Sequence, residues 1–185
     1  MHSFIESFAL IIFGTLILSI FVSLLIPFLM GAPFVPTSRH KMQKILDLAN
    51  IKKGENFYDL GAGDGRFIIE AAKRGANAVG IEINPFQVWW SNLHITLLGL
   101  KNAKVVRANI FNYDISNADI VICYLWPETN SRLKPLLEKM LKPEARVITH
   151  LFRFHGWEPK IVDKEAQIYV YAAHSNLKAH GKHNY

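Results

Sequence analysis

Cysteine is almost absent from the sequence, and neither lysine nor arginine occurs before Arg39. The single cysteine, Cys123, excludes an internal disulfide bond and any zinc site built from several cysteines, so we expect no metal centre. The sequence also has no cluster of basic residues interleaved with aromatic residues. We therefore expect no nucleic acid among its partners.

The charged residues are concentrated in the part of the chain that begins at Arg39. All 21 lysine and arginine residues lie there, together with all but one of the 15 acidic residues, the exception being Glu6. The net charge of +6 therefore belongs to this part of the chain. A moderately basic globular part favours an acidic partner, which can be nucleic acid, anionic lipid or an acidic protein surface.

A long apolar run, Phe8 to Met30, occupies the segment without basic residues. A helix needs roughly 20 apolar residues to cross a bilayer, and this run is long enough. A cleaved signal peptide is the alternative, but it would show positive residues before a shorter apolar core. We therefore predict a single-pass transmembrane anchor at residues 1–31. Because Arg39, Lys41 and Lys44 follow it, the positive-inside rule predicts a membrane protein whose globular part is cytoplasmic.

Strand and helix patterns alternate after this anchor. Strands are predicted at 56–60, 78–81, 104–107, 120–125 and 146–152, and helices at 37–50, 67–74, 84–98 and 130–141. Two further strands, 159–163 and 167–173, are separated by a short charged turn, which predicts a terminal antiparallel hairpin. The fold class is therefore α/β, a Rossmann-like, seven-stranded, mostly parallel sheet preceded by one transmembrane helix.

The same patterns divide the chain. A pre-domain segment at 32–55 follows the anchor, the sheet domain occupies 56–174, and a polar tail covers 175–185. Within the helix at 84–98 we expect at least one of Trp89 and Trp90 to lie in the core.

A glycine-rich loop, Gly61 to Gly65, follows the first strand. Glycine lets the backbone turn sharply and approach a ligand, and the helix after the loop offers free N–H groups. The spacing fits neither the dinucleotide nor the phosphate-loop pattern. Asp59, just before the loop, suits a ligand that carries an amine or a sulfonium better than a pyrophosphate.

Two further polar residues follow the next strands. Glu82 ends the second strand, where a carboxylate can accept from ribose hydroxyls, and Asn109 follows the third, within reach of an adenine edge. Together with the loop, they resemble the seven-strand class I S-adenosylmethionine (SAM) dependent methyltransferases. The resemblance implies SAM as the cofactor, with its methionine part at Asp59 and the glycines and its ribose at Glu82. The implied cofactor-binding residues are Asp59, Gly61, Ala62, Gly63, Gly65, Glu82, Ile83 and Asn109.

Three segments narrow the resemblance. GAPFVPTSRHKMQKIL (31–46), YLWPETNSRLKPLLEKMLKPEARVITH (124–150) and LFRFHGWEP (151–159) resemble the small protein-lysine methyltransferases of archaea, bacteria and mitochondria. The Asn/Asp-Pro-Pro-Tyr motif typical of enzymes that methylate base amines or glutamine is absent. The resemblance implies that the acceptor is a lysine ε-amine of a membrane or membrane-proximal protein.

Tyr124, Glu128 and His150 are the candidate catalytic residues, because they follow or begin elements at the edge where the ligand crevice of an α/β sheet lies. Glu128 can attract an ammonium and take its proton, and His150 can act as a base or as a hydrogen-bonding wall. Tyr124 and Trp126 can line a channel for the lysine stem. Alternatively, Glu128 only favours a helix start, Trp126 packs against the anchor and His150 is a core residue.

Pro36 and Thr37 are candidates for a lid over the acceptor pocket, and the alternative is a stiff linker. Two other functions stay open. One is a methyltransferase for a small or lipid-like acceptor, which the anchor would also favour. The other is a SAM-binding module without catalytic activity that regulates a membrane partner.

Overall fold

A computed structural model of the chain describes residues 2–29 and 37–173. The chain divides into two compact units, Met1–Phe34 and Val35–Tyr185. The first contains one helix, α1 (His2–Leu29), whose segment Ile5–Ser23 has a mean hydropathy of 2.3 and no buried residue. In length and composition this segment matches a membrane span, and a signal sequence shares these properties.

The second unit is built on a seven-stranded sheet in the order β3-β2-β1-β4-β5-β7-β6. All neighbours pair in parallel except β7, which runs antiparallel to both β5 and β6. The α/β prediction with a terminal antiparallel hairpin is thus confirmed. The strands are β1 (Asn56–Leu60), β2 (Asn77–Glu82), β3 (Ala103–Arg107), β4 (Ile120–Cys123), β5 (Arg146–His150), β6 (Ile161–Asp163) and β7 (Ile168–Ala172). The helices are α2 (Arg39–Ala49), α3 (Arg66–Lys73), α4 (Pro85–Leu97) and α5 (Pro127–Met140).

Three element boundaries near the carboxyl edge of the sheet differ from the prediction. Strand β4 ends at Cys123 rather than at Leu125, and α5 begins at Pro127, a residue whose fixed φ suits the first helical position. Strand β5 ends at His150 because Leu151 adopts a φ of 67°, which an extended strand does not allow. Tyr124 and Phe152 therefore lie in loops at this edge.

Helix α2 packs on the sheet through one apolar face. Ser38 caps it, since its Oγ accepts from the backbone N–H of Lys41. The buried residues of α2 join the apolar side chains of α3 and of the central strands in one core. The α2 members of this core are Met42, Ile45, Leu46 and Ala49.

Helix α4 lies at the β3 edge of the sheet. The Asn92 side chain donates to the backbone oxygen of Val105 (2.7 Å) and accepts from its N–H (2.9 Å), so it satisfies the edge strand. The prediction that Trp89 or Trp90 lies in the core was wrong, because they are 57% and 39% exposed. Ile95 occupies the buried face of α4, and helical spacing places both tryptophans on the other face.

Candidate functional site

The glycine loop is held by backbone hydrogen bonds at the carboxyl end of the sheet. The N–H groups of Gly61 and Ala62 both donate to the oxygen of Ile81, at 2.9 and 3.1 Å. Gly61, Gly63 and Gly65 adopt φ values of 99°, 53° and 77°, which favour glycine strongly. The loop therefore exposes backbone where a ligand can approach closely.

Glu82 connects this loop to the end of β2. Its Oε2 accepts from the N–H of Gly63 at 2.9 Å, and its Oε1 accepts from the N–H groups of Ile83 and Asn84 at 2.8 Å each. A carboxylate has about four acceptor positions, so these three bonds leave capacity for one more donor such as a ribose hydroxyl. The structure thus gives Glu82 a supporting role beside the predicted role in binding.

Ser91, which the sequence patterns did not single out, supports the loop from α4. Its buried hydroxyl donates to the backbone oxygen of Gly63 at 2.9 Å. A Cβ added to Gly65 would lie 2.8 Å from the Cβ of Ser91, so the loop and α4 are in close contact. The only sequence signal for Ser91 is its place one turn before Ile95, on the same buried helix face.

Asp59 is a buried acid directly before the loop, with 4% of its surface exposed. No donor within residues 37–173 makes a hydrogen bond to its carboxyl group. Burial, together with the negative charges of Glu82 and Asp64, raises its pKa to about 8. A cation beside Asp59 would restore the carboxylate, so the site fits a ligand with a positively charged amine or sulfonium, as SAM has.

The acceptor side of the site begins at Tyr124 and His150. Their rings meet edge to face, with centroids 4.8 Å apart. His150 is 5% exposed, and neither of its ring nitrogens has a hydrogen-bond partner among the described residues. Burial and the charge of Lys41 lower the pKa of His150, while the Ala166 backbone acts in the opposite direction. An imidazole in this state is neutral near pH 7.

Trp126 and Phe152 close the same region with parallel rings, whose centroids are 6.0 Å apart. Buried Asn130 connects the two segments, since its N–H donates to the oxygen of Trp126 (2.9 Å) and its Nδ2 to that of Phe152 (3.5 Å). Its Oδ1 is buried without a partner among the described residues. The sequence patterns did not identify Asn130 or Phe152.

The other candidate residues are placed less closely together. Glu128 is exposed in the first turn of α5 and forms no ion pair among the described residues. Asn109 is exposed, and its Oδ1 accepts from the N–H of Phe111 at 3.0 Å. Thr37 is buried, and its backbone oxygen accepts from Arg66 at the start of α3 (2.6 Å). Pro36 lies outside the described residues. The roles assigned to these residues stay predictions.

The loop, the two acids and the sheet order agree with one known family. The sequence profile of the ANTKMT methyltransferase domain matches residues 59–161, which is more than half of the chain. The chain belongs to the ANTKMT methyltransferase family. It is therefore a SAM-dependent methyltransferase, and the resemblance to the class I enzymes is confirmed.

Curated relatives of this ANTKMT-family methyltransferase include an archaeal and a human protein. A protein-lysine N-methyltransferase of Saccharolobus islandicus is 42% identical over 135 residues, which cover 71% of this chain and 84% of that protein. A lysine N-methyltransferase of Homo sapiens, named for one of the subunits of ATP synthase, is 33% identical over 141 residues, covering 76% and 60%. The chain thus spans most of the archaeal relative and about three fifths of the human one.

Solved structures show the same fold with a bound ligand. An RNA methyltransferase from Salinibacter ruber in complex with S-adenosyl-L-homocysteine aligns with a TM-score of 0.72 and 35% identity, covering 75% of this chain and 94% of that one. A SAM-dependent methyltransferase from Geobacter sulfurreducens, also with S-adenosyl-L-homocysteine, aligns with a TM-score of 0.55 and 18% identity, covering 70% and 52%. The second likeness shows the fold alone.

Proposed function

We propose that this ANTKMT-family methyltransferase transfers a methyl group from SAM to the ε-amine of a lysine in a protein. The observation that carries the proposal is the 42% identity to a protein-lysine N-methyltransferase over 84% of that relative. The acceptor side of the site is consistent with it. Trp126, Phe152, Tyr124 and His150 form aromatic surfaces on which an aliphatic lysine stem and its charged end can pack.

The SAM site is assigned to the glycine loop and the two acids around it. When bound, SAM supplies a methyl group on a positively charged sulfur atom, which makes the methyl carbon an electrophile. The carboxylate of Asp59 would balance positive charge in a buried place, and Glu82 would accept from the ribose. Gly61, Ala62, Gly63, Gly65 and Ile83 would supply backbone contacts, and Asn109 would face the adenine.

The acceptor side must remove a proton before the amine can react. A lysine amine carries a proton near pH 7, and only the neutral form has a free electron pair. His150 is neutral and has an unpartnered ring nitrogen, so it can accept this proton or orient the amine. Burial raises the pKa of Tyr124, which keeps its hydroxyl protonated beside His150. Exposed Glu128 would attract the ammonium from solvent.

Access to the site would be limited by the segment before α2. Thr37 is held near the glycine loop through Arg66, which itself pairs with Asp64. A lid formed by Pro36 and Thr37 would exclude water and keep the amine in its neutral form. Exclusion of water also strengthens each charge interaction in the site.

We also assign the N-terminal helix as a single-pass anchor, with the catalytic domain on the cytoplasmic side. Support comes from the apolar segment Ile5–Ser23 and from Arg39, Lys41 and Lys44 shortly after it. The proposed division is an anchor at 1–31, a pre-domain segment at 32–55, a methyltransferase domain at 56–174 and a polar tail at 175–185. An anchored enzyme would find its acceptors among membrane and membrane-proximal proteins.

RNA is the second candidate acceptor, because the Salinibacter ruber structure at 35% identity is that of an RNA methyltransferase. The residues after β4 argue against it. Methylases of base amines usually carry Asn/Asp-Pro-Pro-Tyr there, whereas this chain has Tyr124-Leu125-Trp126-Pro127. The archaeal protein-lysine relative is also more similar in sequence, at 42% identity.

An acceptor-class experiment separates these functions. The purified full chain is incubated with tritium-methyl SAM and a complete cell lysate. The labelled material is then treated with protease, treated with ribonuclease or extracted with organic solvent. We expect protease alone to release the label. Label released by ribonuclease would support RNA, and label in the organic phase would support a lipid-like acceptor.

Two substitutions of the same chemistry control this experiment. Asp59→Asn removes the buried carboxyl group at the loop, whereas Asp47→Asn changes an exposed acid whose partner is Arg74. We expect the first variant to lose labelling and the second to keep it. SAM binding without label in any fraction would indicate a regulatory module instead of an enzyme.

A further inference from the structure

Helix α4 carries a continuous apolar face on the surface of the second unit. We define the α4 face as Phe86, Trp89, Trp90, Leu97 and Leu98, all of which are exposed, Leu97 by 74%. The rings of Phe86, Trp89 and Trp90 follow one another at centroid distances of 5.9 and 6.2 Å. Soluble proteins rarely expose a contiguous apolar patch of this kind without a partner for it.

The other side of α4 already has its partners, so the helix is apolar on two sides and covered on one. Ser91 and Ile95 are buried, and Asn92 is fixed to β3 by two hydrogen bonds to Val105. The α4 face therefore cannot turn inward without breaking the contacts that hold the glycine loop and the edge strand. A helix that is hydrophobic all round is expected inside a protein or in contact with lipid.

Positive charge surrounds this face, and negative charge is missing from it. From Pro85 to Arg107 the sequence contains no aspartate or glutamate. The cations in this stretch are Lys101, Lys104 and Arg107, and all three are exposed. Lys101 directly precedes β3, which is the edge strand beside α4, and the other two lie in it. The charge around the α4 face thus complements a negatively charged surface.

We propose that the α4 face lies in the interfacial layer of an anionic bilayer. Tryptophan prefers this layer because its ring is apolar and its N–H polar, while leucine and phenylalanine enter the acyl region. Lysine and arginine at the rim attract anionic headgroups. The same chain carries the apolar segment Ile5–Ser23, and through the covalent connection alone this segment would keep a bilayer within reach of the α4 face.

This contact would restrict the enzyme to acceptors near the membrane surface, and to that extent it rests on the proposed function. With one flank of the catalytic domain against lipid headgroups, the site could reach only lysines close to that layer. The contact itself does not depend on which acceptor is methylated. It can therefore be tested without any assay of methyl transfer.

Depth measurement by spin labelling tests the α4 face in the full chain. Cys123 is the only cysteine and is buried, so Leu97→Cys introduces the single reactive thiol. Lys139→Cys is the matched control, an exposed position on α5. Each nitroxide-labelled chain is reconstituted in vesicles of phosphatidylcholine with phosphatidylglycerol, and its collisions with oxygen and with a water-soluble nickel chelate are compared.

We expect the label at 97 to have a several-fold higher ratio of oxygen to nickel collisions than the label at 139. We also expect this ratio to fall when phosphatidylglycerol is omitted. A label at 97 as accessible to nickel as the control would overturn the inference. Protection at 97 from both reagents would overturn it too, because it would indicate a protein partner or a second copy. A chain that does not float with the vesicles would contradict both the anchor and the inference, whereas loss of methyl transfer alone would leave the inference standing.

Discussion

The backbone N–H of Gly63 donates to Oε2 of Glu82 at 2.9 Å, across 19 residues of sequence. This bond joins the glycine loop after β1 to the end of β2. Ser91 holds the oxygen of the same glycine from α4. Three elements therefore fix one residue of the proposed cofactor site, and its shape exists before a ligand binds.

Glu82→Gln should weaken SAM binding. The amide of glutamine keeps one oxygen but places an NH2 group against N–H donors, so at least one of the bonds to Gly63, Ile83 and Asn84 is lost. Hydrogen bonds to a charged group contribute about 1.5–3 kcal/mol, so we expect Kd to rise on the order of tenfold or more. Calorimetric titration with SAM measures it. Glu70→Gln, on the outer side of α3, is the control and should bind normally.

Asp59→Asn should stabilise the ligand-free protein while it removes SAM binding. The pKa of Asp59 is about 8 in the fold and near 4 in an unfolded chain. Between these values the unfolded state releases a proton that the folded state retains, so the wild type loses stability as pH rises from 4 to 8. Thermal unfolding should show a gain for the variant that grows over this window and levels off above it. A pH-independent difference would contradict the buried, uncompensated acid.

Gly80→Ala should loosen the loop from below. The added Cβ would lie 2.6 Å from the Cβ of Ala62 and 3.0 Å from Ile68. Overpacking of this kind costs about 1–3 kcal/mol, which denaturant unfolding would show. The double variant Gly80→Ala with Ala62→Gly removes the closest contact and should recover part of the loss. Additive effects of the two changes would mean that the residues do not contact each other.

His150→Leu should separate stability from catalysis. The wild-type imidazole has a lowered pKa, so protonation favours unfolding and the protein loses stability as pH falls below about 6.5. Leucine removes the titrating group and two unpartnered buried nitrogens, so we expect less acid sensitivity with no loss of SAM binding. Methyl transfer should fall sharply through kcat. Unchanged kcat would mean that His150 is a core residue only.

The sequence predicted those features that depend on neighbouring residues. Asn84 and Pro85 mark the start of α4 correctly, because a cap and a fixed φ act within one turn. The end of β5 was missed, because the left-handed conformation of Leu151 has no signal in its side chain.

Contacts that depend on the assembled fold could not be predicted in this way. Ser91 and Gly63 are 28 residues apart, and only the sheet order brings them together. The exposure of Trp89 and Trp90 is of the same kind. Helical periodicity shows that two faces exist but does not show that the apolar one with the tryptophans is left uncovered.

Identification of the methylated amino acid tests the central claim most directly. The full chain is incubated with deuterated-methyl SAM and membrane-enriched lysate protein, and the acid hydrolysate is analysed by mass spectrometry beside those of Asp59→Asn and Asp47→Asn. The account predicts deuterated methyl-lysine with the wild type and Asp47→Asn and none with Asp59→Asn. A deuterated methyl group on any other amino acid, or methyl-lysine formed equally by Asp59→Asn, would contradict it.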